Sequence, residues 1–454
     1  MSTRSPGDDR AADDACAGGA RWSGRRLHFV GIGGAGMSGL ALIAQTLGAQ
    51  VTGSDRADSS YTERLREHGI PPLLGHRAAN VPAGAEVVYS TAVAADNPER
   101  EAAVRQLHRA DLLAEIGALR RCLAVTGTHG KTTTAAMVVH ALRGAGMDPG
   151  YVIGGELRGT GANAGWGTGE WIVIEADESD RSLLKLDPEI AVLTNAELDH
   201  HATYGSRLEL EQTFAEFMGR AYGGAVVWDR PALRALCPPD AVPYDAAGAQ
   251  LDPGGSRFAW CGIDVRVGVP GAHNAVNAAG ALTACALAGA DPAAAAAALA
   301  DFRGARRRME RLGETAVGAV VYDDYAHHPT EVAATIAAAR TLGPRRLVAV
   351  FQPHLYSRTR ELARAFGGAL AAADAVALLP VYAARERAGD FPGVDGHLIA
   401  AAAADAAGGR PVAWLPGFDP ARAYLTAQLR AGDLCLVMGA GDVDRLARSL
   451  VASA

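Results

Sequence analysis

Lysine is almost missing from this chain: of 43 basic residues, only Lys131 and Lys185 are lysines. A site that keeps a lysine against that background asks for a compact point charge rather than the planar fork of arginine. Cysteine is sparse as well. Cys16, Cys122, Cys237, Cys261, Cys285 and Cys435 show no CxxC spacing, which argues against a disulfide framework and against a zinc site. There is no excess of positive charge; the net charge of -7 makes nucleic acid a poor partner and leaves the steering of any anionic substrate to local arginine clusters. The first two dozen residues contain no apolar run that could serve as a signal-peptide core, and they carry Asp8, Asp9, Asp13 and Asp14. They read as a disordered tail, residues 1–24, on a cytoplasmic protein. No stretch reads as a membrane span. The longest weakly polar one, residues 275–300, is mostly Ala and Gly and is broken by Asp291-Pro292, so it predicts two soluble helices.

What is present points to an α/β protein of three domains. At 454 residues and 49% hydrophobic, the chain can bury more than one core. Apolar runs bounded by glycine alternate with Ala/Leu/Arg-rich stretches of helical period, the pattern of parallel sheets covered by helices. The blocks are drawn at residues 25–120, 121–313 and 314–454, with strands expected at 26–30, 122–125, 171–174, 191–194, 319–322 and 434–438.

The first block opens with a strand followed by Gly31-x-Gly33-Gly34-x-Gly36 and a helix, with Asp55 after the next strand. Glycines there permit a tight turn and the approach of a diphosphate to the helix start. Dinucleotide, nucleotide sugar and plain strand-helix packing all fit that signal. The second block carries a sharper one. Strand LAVTG runs into Thr128-His129-Gly130-Lys131-Thr132-Thr133 and then a helix, so that loop amides would wrap phosphates, Lys131 reach the terminal ones and Thr132 bind Mg2+. Val125 occupies the first glycine position of the general phosphate-loop pattern, leaving the shorter TGTxGKT form. The next strand ends in Glu175-Ala176-Asp177-Glu178-Ser179-Asp180, and Glu175 is the candidate carboxylate for nucleotide-bound magnesium. A further strand ends in Asn195-Ala196-Glu197-Leu198-Asp199-His200-His201.

Downstream, Asn274 and Asn277 lie three apart on one helical face, where they could read the amide-like edge of a base. Arg306, Arg307 and Arg308 form either a phosphate-touching hinge or a solvated basic turn. Two polar clusters follow strands of the third block, Asp323 to Glu331 and Phe351 to Arg360, at the rim where open α/β sheets bind ligands.

In order, GIGGAGMSG, TGTHGKTTT, EADESD, TN-x-E-x-DH, HN-x-x-NA, DDYAHHPTE and FQPHLYSRTR resemble the Mur ligases of peptidoglycan synthesis, from about residue 26 to the C terminus. The resemblance implies a Rossmann-like N-terminal domain for a UDP sugar, a central ATPase domain and a Rossmann-like C-terminal domain for an amino acid. It implies an ATP- and Mg2+-dependent ligase that joins L-alanine to UDP-N-acetylmuramate, as a monomer or homodimer. Residue by residue, Gly127, Thr128, His129, Gly130, Lys131, Thr132 and Thr133 would hold ATP, together with His273, Asn274, Asn277 and Arg308. Thr132, Glu175 and His200 would ligate magnesium. Gly31, Gly33, Gly34, Gly36, His76, Ser90 and Thr91 would face the UDP sugar. Tyr325, His327 and Arg358 would form the amino-acid side, and Lys131, His200, His327 and Arg358 the catalytic set. Ala326 and Leu355 depart from the family's commoner residues. A murein-peptide recycling ligase acting on the same sugar is the near alternative. From other classes, an NAD-dependent oxidoreductase would use the first glycine loop and Asp55, and a nucleotide-gated binding protein would bind ATP without turnover.

Overall fold

The computed structural model describes residues 22–199 and 203–451. Within them, the chain builds four sheets. The first has five strands in the order Leu73–Leu74, Gln50–Asp55, Arg26–Val30, Glu86–Tyr89 and Arg105–His108, all parallel. The second has seven, in the order Val242–Tyr244, Gly224–Trp228, Ile190–Leu193, Arg121–Thr126, Trp171–Glu175, Gly150–Leu157 and Ala162–Gly165. A three-stranded antiparallel sheet spans Gln250 to Val267. The fourth has six strands, in the order Glu310–Glu314, Val320–Asp324, Asp433–Met438, Arg346–Phe351, Ala375–Leu378 and Val412–Trp414.

The described chain divides into two compact units: residues up to 197 with 207–243 and 283–292, and residues 198–206, 244–282 and 293 onward. In the first, the central strands are apolar and buried over residues 122–125, 171–174 and 190–193, as parallel strands under helices on both faces must be. In the second, the period of two is visible in the packing. Leu347, Ala349, Phe351, Leu436 and Met438 join one core, while Val348, Val350, Cys435 and Val437 join the other. Helices lie on each side of this sheet.

The expected strands are all present, with ends shifted by one or two residues. The pair of soluble helices expected over 275–300 is there as Ala272–Leu287 and Pro292–Ala298. No described helix is long and apolar enough to cross a membrane. One strand was not anticipated. Glu310–Glu314 pairs antiparallel with Val320–Asp324, so the C-terminal sheet begins upstream of the boundary drawn at 313/314. All five cysteines among the described residues are free. Burial pushes the Cys122 and Cys435 thiols up to about 12, which leaves no thiolate for chemistry.

Candidate active site

The phosphate loop follows directly from strand Arg121–Thr126. Val125 pairs in register with Glu175 of the neighbouring strand and is fully buried, so the position that is glycine in longer loops is here strand interior. The turn starts at Gly127, whose φ of +127° and lack of side chain are both required: a Cβ would stand 2.1 Å from Thr194 Oγ1. Strand Ile190–Leu193 delivers the residues that hold this turn. Thr194 Oγ1 donates to His129 O at 2.7 Å, Asn195 Nδ2 to the same carbonyl at 2.8 Å, and Asn195 Oδ1 accepts from His129 N at 2.8 Å. Thr128 Oγ1 donates to Glu197 O at 2.9 Å. The TN-x-E stretch is thus the clamp of the loop, a role that its sequence position did not reveal.

Helix Lys131–Gly144 begins at the end of the turn. Lys131 Nζ folds back onto Gly127 O at 2.6 Å, Thr128 O at 3.1 Å and Glu178 Oε2 at 2.8 Å. Burial opposes its charge, but the carboxylates of Glu178, Asp177 and Glu175 outweigh that and raise the pKa, so Lys131 is an ammonium at any physiological pH. Thr132 Oγ1 donates to Glu175 Oε1 at 2.9 Å, and Gly154 N donates to Glu175 Oε2 at 2.5 Å. This hydroxyl-carboxylate pair beside the phosphate loop is an all-oxygen donor set, which fits a hard divalent cation; an ion would replace the hydrogen bond between the two oxygens. The third expected ligand, His200, lies outside the described residues.

At the first glycine loop, helix Ala35–Thr46 starts at Gly34 with no side-chain cap, leaving its first amides to a ligand or to water. Asp55 serves the loop itself: its Oδ2 accepts from Gly33 N at 2.8 Å and its Oδ1 from Arg56 N at 2.7 Å. His76 follows Gly75, whose amide donates to Asp55 O at 2.7 Å, so it stands beside the same strand end. Thr91 Oγ1 donates to Asp180 Oδ2 at 2.7 Å and lies 3.2 Å from His108 Nε2, while Ser90 directly follows strand Glu86–Tyr89. Arg109 joins this group, with Nη2 3.7 Å from Asp180 Oδ2 and Nη1 3.2 Å from where a Gly36 Cβ would be. Among many arginines, Arg109 had no signal in the sequence; only the fold puts it against the glycine loop.

In the second unit, Arg307, rather than Arg308, is the structural member of the arginine run. It reaches Asp323 Oδ2 at 3.2 Å, Gly439 O at 2.7 Å and Gly441 O at 3.0 Å, while Arg308 lies 5.2 Å over the Tyr325 ring. Burial pushes Asp323 up to about 7 even against the pull of Arg307. Asn274 Nδ2 donates to Pro270 O at 2.6 Å and Asn277 Nδ2 to Asn274 Oδ1 at 3.3 Å, so the two do share a face. The rings of Tyr325 and His327 meet edge-on at 5.4 Å, and His327 and His354 at 6.0 Å. Burial holds His273 and His327 near 4 and His354 near 3, so all three are neutral at pH 7. Arg358, the expected amino-acid clamp, is itself taken. Its Nη2 reaches both Asp199 oxygens at 2.8 and 3.0 Å, Nε reaches Oδ1 at 3.1 Å, and Nη1 reaches His354 Nδ1 at 3.1 Å.

Three family profiles match in order along the chain: Mur ligase family, catalytic domain, over residues 26–121; Mur ligase middle domain over 125–285; and Mur ligase, glutamate ligase domain, over 307–441. A UDP-N-acetylmuramate–L-alanine ligase of Acidithiobacillus ferrooxidans is 43% identical over 93% of this chain and 96% of its own. The crystal structure of the UDP-N-acetylmuramate-alanine ligase of Thermotoga maritima superposes with a TM-score of 0.81 at 28% identity, covering 94% of this chain and 98% of that one. A murein peptide ligase from Psychrobacter arcticus superposes at 0.69 with 26% identity, over the same shares of the two chains.

Proposed function

Because the chain belongs to the Mur ligase family, we propose that it joins L-alanine to the lactoyl carboxylate of UDP-N-acetylmuramate in the cytoplasm, with cleavage of ATP to ADP and phosphate. The observation that carries this reading is the grouping of Lys131, Thr132 and the strand-end Glu175 beside a loop clamped by Thr194 and Asn195.

A carboxylate oxygen attacks the γ-phosphorus, ADP leaves, and the resulting acyl phosphate is opened at carbon by the neutral amine of alanine, which expels phosphate. The first step brings two anions together. At 4 Å and an effective dielectric near 20, one pair of unit charges already costs about 4 kcal/mol. Lys131 supplies the fixed positive charge against it, and must exchange Glu178 and the loop carbonyls for phosphate oxygens to do so. Thr132 and Glu175 would hold magnesium, which supplies charge neutralisation at the terminal phosphates. Tyr325, His327 and Arg358 are assigned to the alanine. His327 Nδ1 lies 3.0 Å from Tyr325 O, so that nitrogen carries the proton and Nε2 of the neutral ring can accept one from the amine. Arg358 reaches a substrate carboxylate only by giving up part of its hold on Asp199.

The murein-peptide reading differs in the nucleophile alone; FQPHLYSRTR and EADESD favour alanine. The NAD reading is weakened by Asp55, which spends on Gly33 the carboxylate that would hold a ribose. The test is phosphate release, which is expected only when UDP-N-acetylmuramate, L-alanine and Mg2+ are all present with ATP. Lys131→Arg is expected to lower it by about 100-fold or more, since a forked cation cannot occupy the point-charge position; full activity in that variant would contradict the role given to Lys131. Single turnover with a tripeptide outrunning L-alanine would transfer the assignment to the recycling reaction.

A further inference from the structure

The nucleotide end of the sugar substrate has to be recognised by the first domain, and one buried carboxylate there is used by nothing described so far. Glu99 sits in the short helix Pro98–Glu101 and is fully buried. Its Oε1 accepts from Asn80 Nδ2 at 2.5 Å and from Arg77 N at 3.1 Å. Its Oε2 accepts from Ser54 Oγ at 2.5 Å, with His28 Nε2 at 3.4 Å and His76 Nδ1 at 3.5 Å. Burial works to raise the pKa of this acid, but the donors His28, Ser54, Asn80 and the Arg77 amide outweigh it and hold it at about 2. Glu99 is therefore a pure acceptor under all working conditions.

That fixes the next proton. Ser54 has a single hydroxyl hydrogen and gives it to Glu99, so its oxygen can only accept at the 2.9 Å contact with His76 Nδ1. Nδ1 must carry the hydrogen, so of the two imidazole tautomers the contact selects the one whose lone pair is on Nε2. His76 Nε2 has no hydrogen-bond partner among the described residues. The relay stands at the end of strand Gln50–Asp55, whose Asp55 holds both the glycine loop through Gly33 N and the His76 turn through Gly75 N. A nucleotide whose diphosphate sits on the glycine loop extends its base over these strand ends.

We propose that Glu99 and Ser54 are positioning residues that set the tautomer of His76, so that His76 Nε2 accepts a hydrogen bond from the imide N3–H of uracil and selects uridine over cytidine nucleotides. The inference rests on the UDP-sugar reading above. Uracil offers a donor at N3, whereas cytosine offers an acceptor there, which would face the His76 lone pair and leave both unpaired.

The test is direct binding of UDP and CDP to the full-length protein, without ATP or amino acid. The wild type is expected to bind UDP at least about 10-fold more tightly than CDP, the cost of a buried unpaired acceptor. His76→Ala is expected to bring the ratio close to one. Glu99→Gln is expected to bring it to one or invert it. Its amide oxygen must face the two donors Asn80 Nδ2 and Arg77 N, which turns its NH2 toward Ser54; Ser54 then donates to Nδ1 and the hydrogen moves to Nε2. Ser54→Ala reads the same relay without altering the buried carboxylate, and decides the matter if Glu99→Gln does not fold. A wild type that binds UDP and CDP alike, or a folded His76→Ala or Ser54→Ala that keeps the full preference, overturns the proposal. Failure to bind either UDP or UDP-N-acetylmuramate at all would instead overturn the UDP-sugar reading on which it rests.

Discussion

A Cβ placed on Gly154 would stand 2.8 Å from Oε1 and 2.9 Å from Oε2 of Glu175, and the glycine's own amide holds that carboxylate. The prediction belongs to this one residue. Gly154→Ala is expected to displace Glu175 from Thr132 and raise the Mg2+ concentration for half-maximal phosphate release by about 10-fold, the loss typical of disturbing a group that orients a metal ligand. A magnesium titration of the folded variant that overlays the wild type would show that Glu175 does not hold the ion. At this scale the sequence was informative where chemistry needs a rare residue type. Lys131, Thr132 and Glu175 stood out because a phosphate loop must carry a cation, a hydroxyl and a nearby strand-end carboxylate. Gly154, Asn195 and Arg109 did not, because a glycine, an amide and one arginine among many acquire meaning only from what the fold places opposite them.

Among the elements, strand Glu310–Glu314 shows the limit of periodicity. Its residues ERLGE are mostly polar, and the register shifts between Arg311 and Gly313, so neither alternation nor an apolar run marks it. The parallel strands were legible because burial on both faces demands continuous apolar runs. The antiparallel edge strand faces fewer constraints. Arg307 ties the turn just before it to the two neighbouring strands, through Asp323 and through Gly439 O and Gly441 O in the loop after strand Asp433–Met438. Arg307→Ala is expected to cost about 2 kcal/mol of stability in urea denaturation. The loss stays below that of a broken ion pair because Asp323, already pushed up to about 7, can take a proton once the guanidinium is gone. A midpoint unchanged within error would mean that the arginine run is only a solvated turn.

On the scale of the whole molecule, three domains of a known family were readable from the order of seven short motifs, because six of them follow strand ends, where such folds place ligands, and the seventh, HN-x-x-NA, opens helix Ala272–Leu287. The packing of the second unit also sets how the molecule responds to pH. His273, His327 and His354 are held near 4, 4 and 3, below the usual value of about 6.5. Between those values the unfolded chain binds protons that the folded chain does not, so stability falls as pH drops from about 6.5 toward 4. Asp323, held near 7, works the other way over the same range, since its folded form keeps a proton that the unfolded chain releases above its usual value. Asp324, which burial also raises, adds to this, but three histidines against two carboxyls leave a net loss on acidification. A melting temperature several degrees lower at pH 5 than at pH 7 is expected, and one equal or higher at pH 5 would show that the imidazoles are not buried as described.

The central claim is that a substrate carboxylate takes the γ-phosphoryl group before the amide forms. UDP-N-acetylmuramate labelled with 18O in its lactoyl carboxylate, turned over with ATP and L-alanine, tests this directly. One labelled oxygen is expected in each phosphate released, because the oxygen that bridged carbon and phosphorus leaves with phosphorus. Phosphate free of label, with the amide formed, would contradict the acyl phosphate and with it the task assigned to Lys131.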